Sequence, residues 1–163
     1  MSISAEEKIG QLLRERGWQL AVAESCTGGL IGHRLTNIPG SSTYYLGSVT
    51  AYAYRAKVRL LGVSWDTLEG HGAVSQSVVE EMARGIRHAL ASDIGLSVSG
   101  IAGPGGGTPE KPVGLAWIGL STPRGIWSRK IQGEGGRLEN KELFAQQALE
   151  FLIRHLERSD GKN

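Results

Sequence analysis

Leu20-Ala21-Val22-Ala23-Glu24-Ser25-Cys26-Thr27-Gly28-Gly29 begins as an apolar run and breaks into hydroxyls, a thiol and two glycines. The run, entered from Trp18, is too short for a buried helix and predicts a central strand over 18–23. Thr27 then predicts the N-cap of a helix with Ile31, Leu35 and Ile38 on one face, stopped by Pro39-Gly40. Strand, tight polar turn and helix in immediate succession form the repeating unit of an α/β fold.

The flanking sequence continues the alternation. Upstream, Ser4 and Glu7 form a capping box for a helix over about 5–16, with Ile9, Leu12 and Leu13 as its apolar stripe and Gly17 as its stop. Downstream, Tyr44 to Tyr52 is aromatic and β-branched and predicts a second strand, and Arg55 to Leu61 a short helix ending at Gly62. Ser75 caps a helix on which Val78, Val79, Met82, Ala83, Ile86, Ala89 and Leu90 recur at three and four. Ile94 to Ile101 reads as a strand, the glycines of 103–107 as a loop, and 113–121 with 126–132 as a hairpin around Pro123-Arg124-Gly125. A last helix runs over about 138–157 with Phe144, Ala148, Phe151 and His155 on one side, and the tail 159–163 reads as disordered. Helices interleaved with strands, then a hairpin, predict a three-layer α/β/α sandwich around a mixed β-sheet, one domain over 1–163 with an ordered core of about 4–158.

Composition narrows the function classes. With 40% hydrophobic and 21% charged residues the chain can build a core, and a net charge of +2 is not that of a nucleic-acid binder. The single cysteine, Cys26, excludes an internal disulfide and a cysteine zinc cage and fits a reducing compartment. The start, Met1 to Glu7, has no apolar h-region, and no run is long enough for a membrane span, so a cytoplasmic protein without membrane partners is expected. His33, His71, His88 and His155 show no ligand spacing, and no metal is expected.

In a sheet of this kind, ligands lie beyond the carboxyl ends of the strands. The loops 24–29, 52–57 and 99–107 should meet there. Each motif also has a plain structural reading. Ser-Cys-Thr-Gly-Gly is either an anion-holding turn or a capped helix entered through tight glycines. It is neither a Walker loop nor a nucleophile elbow. Lys57 alone is a solvated helix lysine, Ser41-Ser42 a turn and cap, and Cys26 a small buried residue. Taken together, hydroxyls, glycines, tyrosines and a lysine are what an amide or ester hydrolase needs: nucleophile, base and oxyanion donors.

The same motifs carry a resemblance. Ala23 to Gly29, Pro39-Gly40-Ser41-Ser42, Leu61-Gly62-Val63, His71-Gly72-Ala73-Val74-Ser75, and Ser99 to Gly106 with Lys111-Pro112-Val113-Gly114 resemble, in order, the C-terminal domain family of the competence/damage-inducible protein CinA. The resemblance covers roughly residues 5–157, without the large N-terminal domain of full-length members. It implies a cytoplasmic α/β amidohydrolase, without metal or cofactor and commonly homo-oligomeric. Its implied reaction is the deamidation of nicotinamide mononucleotide to nicotinate mononucleotide and ammonia.

Matched residue by residue, the family pattern implies Ser42 as nucleophile, Lys57 as its base and Tyr52 as an orienting or proton-relaying hydroxyl, with Ser25 the second choice of nucleophile. Substrate binding falls to Ser25, Thr27, Gly28, Ser99 and Arg137. A serine–lysine pair functions only if the lysine is neutral, so Lys57 has to be desolvated or beside another cation. The chain departs from the family where Tyr54-Arg55 stands for a frequent Asn-Glu and Gly135-Gly136-Arg137 for Gly-Asp-Arg, and where a later arginine falls near Lys141. Two readings of another class stay open: a nucleotide-binding regulatory module that does not hydrolyse, and an amidase for an unrelated substrate.

Overall fold

A computed structural model describes residues 2–159. In chain order its elements are α1 (Ala5–Arg16), β1 (Leu20–Glu24), α2 (Leu30–Thr36), a 3-10 turn (Ser41–Thr43), β2 (Tyr45–Thr50), α3 (Tyr54–Leu61), α4 (Trp65–His71), α5 (Gln76–Ala89), β3 (Ile94–Gly100), β4 (Leu115–Thr122), β5 (Gly125–Gln132) and α6 (Arg137–Ser159). The five strands form one mixed sheet in the order β2-β1-β3-β4-β5. β1 runs parallel to both β2 and β3, while β4 and β5 return antiparallel.

Local chemistry explains the elements. Ser4 Oγ accepts from Glu7 N at 3.2 Å and Glu7 Oε2 accepts from Ser4 N at 2.8 Å, closing the expected capping box of α1. Ser75 Oγ caps α5 at Val78 N. All five β1 residues are buried, as befits a strand covered on both faces.

The two faces carry separate cores. On one, α1, α2 and α6 cover Leu20, Val22, Leu96, Ile118 and Leu120. On the other, α3 and α5 pack over Ala21 and Ala23, with Met82 and Ile86 at the centre. This is the expected three-layer sandwich. α5 lies directly on the sheet because Gly95 and Gly119 present no side chain. A Cβ on either would run into the carbonyl oxygen of Ala83 or Val79.

Differences from the sequence expectation are local and have causes. α2 begins at Leu30, later than a Thr27 cap implies, because Gly28 and Gly29 turn through positive φ (62° and 104°) before the helix starts. The second strand starts at Tyr45 because Ser41–Thr43 coil into the 3-10 turn. Ala89 and Leu90 are exposed at the end of α5. On α6 the buried stripe is Phe144, Ala145, Ala148, Leu149, Leu152 and Leu156, with Phe151 and His155 at its edge. α4 has no counterpart in the sequence reading, since Leu68 is its one buried residue and gives no periodic signal. The tail 160–163 lies outside the described residues. No helix among the described residues is long and apolar enough to cross a membrane.

Parallel pairing fixes where the loops meet. Glu24 aligns with Thr50 on one side and with Val98 on the other, so β1, β2 and β3 end at the same level. The chain segments after all three therefore open onto one end of the sheet.

Candidate active site

At that end lies a cleft of about 150 Å³, lined by Ser25, Cys26, Tyr52, Lys57, Ala73, Val74, Ser99, Gly100, Ala102 and Arg137. Ser25 follows the last residue of β1, and its N–H donates to Val98 O at 3.1 Å, which extends the sheet by one residue and holds the side chain at the strand end. Lys57 enters from α3. Its neighbour one turn on, Leu61, is the other buried residue of that helix, so both point at the sheet.

Lys57 is 1% exposed. Its Nζ meets three oxygens: Ser25 Oγ at 2.9 Å, Ala51 O at 2.9 Å and Tyr52 O at 3.0 Å. No carboxylate is among these partners. Burial pushes its pKa down to about 8. Two of the three partners are carbonyls, which only accept. In the neutral amine both N–H groups are taken by these carbonyls and the lone pair is left facing Ser25 Oγ, where it can accept the hydroxyl proton. A neutral lysine amine facing a serine hydroxyl in this way is an arrangement that can accept the hydroxyl proton.

Glu24 holds this corner together. It is fully buried at the end of β1, and its carboxylate accepts from Thr27 Oγ1 (2.6 Å), Ile31 N (2.9 Å) and Gly32 N (3.1 Å). The first turn of α2 is thus capped by a strand residue, and the turn that carries Ser25 is clamped at both ends. Removing the carboxylate would orphan two buried backbone donors, at about 1–3 kcal/mol each.

The expected site residues divide accordingly. Ser25, Lys57, Ser99, Tyr52 and Arg137 come together around the cleft. Ser42 does not. It is exposed on the 3-10 turn that precedes β2, and β2 runs parallel to β1, so Ser42 stands at the opposite end of the sheet from Lys57. A six-residue strand separates them, on the order of 20 Å. The structure does not bring Ser42, expected as nucleophile, to Lys57; Ser25 is the one serine bonded to Lys57 Nζ among the described residues. Thr27, expected at the substrate, is not brought to the cleft: its hydroxyl donates to Glu24 and it does not line the cavity. Gly28 stands outside the cleft in the turn to α2, and a Cβ on it would lie 3.7 Å from Lys141 Nζ. Tyr52 reaches Lys57 through its carbonyl. The residue is 62% exposed, and its hydroxyl accepts from Arg137 Nη2 at 3.1 Å across the mouth. Sequence reasoning assigned no site role to Glu24 or to Ala73 and Val74 of the α4–α5 turn. A buried carboxylate immediately before the Ser-Cys-Thr-Gly-Gly turn was the available signal for the first.

The CinA C-terminal domain model matches residues 2–156. The chain belongs to the CinA C-terminal domain family. It is 52% identical over 154 residues to a CinA-like protein of Salinibacter ruber, covering 94% of this chain and 37% of that protein. It is 50% identical over 157 residues to a putative competence-damage inducible protein of Halothermothrix orenii, covering 96% and 38%. The chain thus spans less than two-fifths of the length of these relatives. Among solved structures, the competence damage-inducible protein A of Klebsiella pneumoniae superposes with a TM-score of 0.91 at 31% identity, covering 94% of this chain and 95% of that one. The competence/damage inducible protein CihA of Agrobacterium tumefaciens gives 0.88 at 37% identity, covering 96% and 99%.

Within this CinA-family cleft, Cys26 has the wrong chemistry for a nucleophile. It is 5% exposed, and burial pushes its thiol up to about 12, so it holds its proton at any physiological pH. This agrees with its plain reading as a small buried residue. We expect the folded protein to resist iodoacetamide at pH 8, as read by mass spectrometry, and Cys26→Ala to keep most of its activity. Rapid alkylation of the native thiol, or a folded but inactive Cys26→Ala, would return the sulfur to the reaction.

Proposed function

We propose that this domain is an amidohydrolase that converts nicotinamide mononucleotide to nicotinate mononucleotide and ammonia, with Ser25 as nucleophile and Lys57 as its base. The reading rests on one observation: a buried lysine with two carbonyl partners and a serine hydroxyl at 2.9 Å. Ser25 Oγ attacks the carboxamide carbon as Lys57 Nζ takes its proton. The tetrahedral adduct collapses with cleavage of the C–N bond, and the proton passes from Lys57 to the departing nitrogen, which leaves as ammonia. Water then attacks the ester on Ser25. Lys57 takes a proton from it, the C–O bond to Ser25 breaks, and that proton returns to Ser25 Oγ.

The size of the cleft supports a substrate of this shape. At about 150 Å³ it is smaller than a pocket that swallows a whole drug-sized ligand, typically about 300–1,000 Å³. It suits a flat carboxamide-bearing ring, with the remainder of the nucleotide over the mouth. There Arg137 carries five N–H donors, of which the bonds to Gly103 O and Tyr52 Oη leave enough to meet a phosphate.

The test is ammonia release from nicotinamide mononucleotide, free nicotinamide and simple aliphatic amides, with nicotinate mononucleotide quantified in parallel. Turnover of the nucleotide with equal amounts of acid and ammonia is expected. Binding of the nucleotide without hydrolysis would make the domain a nucleotide-binding module, and turnover of simple amides alone would make it an amidase for another substrate.

A further inference from the structure

Asn140 has no place in the chemistry above, yet it is one of the most tightly engaged polar side chains in the protein. It is 1% exposed, in the first turn of α6. Its Nδ2 donates to Ala102 O at 3.0 Å and to Gly135 O at 2.9 Å, and its Oδ1 accepts from Gly135 N at 3.2 Å. Gly133 packs flush against the same amide, since a Cβ there would collide with Oδ1. One side chain therefore ties the segment after β3, the segment after β5 and the start of α6 to a single point.

Those three segments are the ones that aim Arg137. Arg137 begins α6, its Nη1 donates to Gly103 O at 2.8 Å, and its Nη2 reaches Tyr52 Oη. Gly103 follows directly on Ala102, whose carbonyl Asn140 holds. The closed circuit Ala102–Asn140–Gly135–Arg137–Gly103 fixes both the root and the tip of the guanidinium. The glycines at 135 and 136 could not fix it unaided, because they bring no side chain and the widest backbone freedom.

We propose that Asn140 is a positioning residue: it holds the Arg137 guanidinium at the mouth of the cleft, and so sets the affinity for the anionic group of the substrate while leaving the Ser25–Lys57 step untouched. The inference rests on the amidohydrolase reading for its substrate. Its physical core is independent of that reading: without the Asn140 amide the guanidinium loses its fixed direction.

The experiment compares wild type, Asn140→Ala and Asn140→Ser on nicotinamide mononucleotide and on the nucleoside that lacks its phosphate. The serine variant keeps a polar group in the buried position but is too short to hold the Ala102 and Gly135 carbonyls, and it carries the comparison if the alanine variant does not fold. The expected result is a KM for the nucleotide raised about tenfold or more, kcat within twofold, and an unchanged KM for the nucleoside. In an Arg137→Ala background the same substitution should change nothing further. Equal losses on both substrates, a fall in kcat alone, or no change would overturn the proposal. If the wild type releases ammonia from neither compound, the amidohydrolase reading fails and the positioning claim is read by NMR. The Arg137 side-chain N–H signals should be sharp in wild type and lost in Asn140→Ser, and their persistence in the variant would overturn it.

Discussion

Ser25→Ala should abolish ammonia release, with kcat down on the order of 10⁴-fold or more, while Ser42→Ala stays within twofold of wild type. Ser25 is the hydroxyl in contact with Lys57 Nζ, and Ser42 is exposed at the other end of the sheet. The alanine variant should fold, because Ser25 holds its backbone bond to Val98 O whatever its side chain. Since nucleophile and base act as a unit, the double variant Ser25→Ala/Lys57→Ala should be little worse than either single one. Steady-state kinetics with a circular-dichroism check of the fold decide it. An active Ser25→Ala, or an inactive Ser42→Ala, would remove the basis for the Ser25–Lys57 pair.

The contrast between these two serines shows what the sequence made legible and what it did not. The capping box at Ser4, the cap at Ser75 and the glycine stops are local signals written within four residues, and they give the observed helix ends. The convergence of the three loops follows from strand polarity alone, and Glu24 facing both Thr50 and Val98 bears it out. The same polarity argument places Ser42, which precedes a strand parallel to β1, at the far end of the sheet, and brings Ser25, which follows β1, to Lys57, which follows β2. Motif matching does not carry that geometric constraint. Long-range polar contacts left less trace. Asn140 reaches Ala102, and Arg137 reaches Tyr52, across separations that no periodicity encodes. The exposed face of α4 and the ragged ends of the α5 and α6 stripes are cases where tertiary packing, not pattern, sets burial.

Lys57 ties activity to stability through one proton, and the two should respond to pH in the same direction. Its pKa stands near 8 in the fold against an ordinary 10.5, because burial penalises the charge. The base must be neutral, so kcat/KM should rise about tenfold per pH unit below pH 8 and level off above it, with about a tenth of the molecules competent at pH 7. The stability sign follows from proton counting. Between about 8 and 10.5 the unfolded chain binds this proton and the folded one does not, so stability rises with pH across that window and is lost as pH falls through 8. The full span is on the order of 3 kcal/mol. Lys57→Met removes the titration but also orphans the Ala51 and Tyr52 carbonyls, so the informative quantity is the slope and not the value at one pH. Between pH 7 and 9.5, wild type should gain stability over Lys57→Met in urea melts, while the variant releases no ammonia at any pH. Lys57→Arg should be equally inactive, since a guanidinium never yields its proton, and less stable than either, since it keeps a full charge buried. A wild-type rate that is flat from pH 6 to 9, together with parallel stability curves for wild type and Lys57→Met, would mean that Lys57 stays charged and acts as a structural donor to its three oxygens, not as the base.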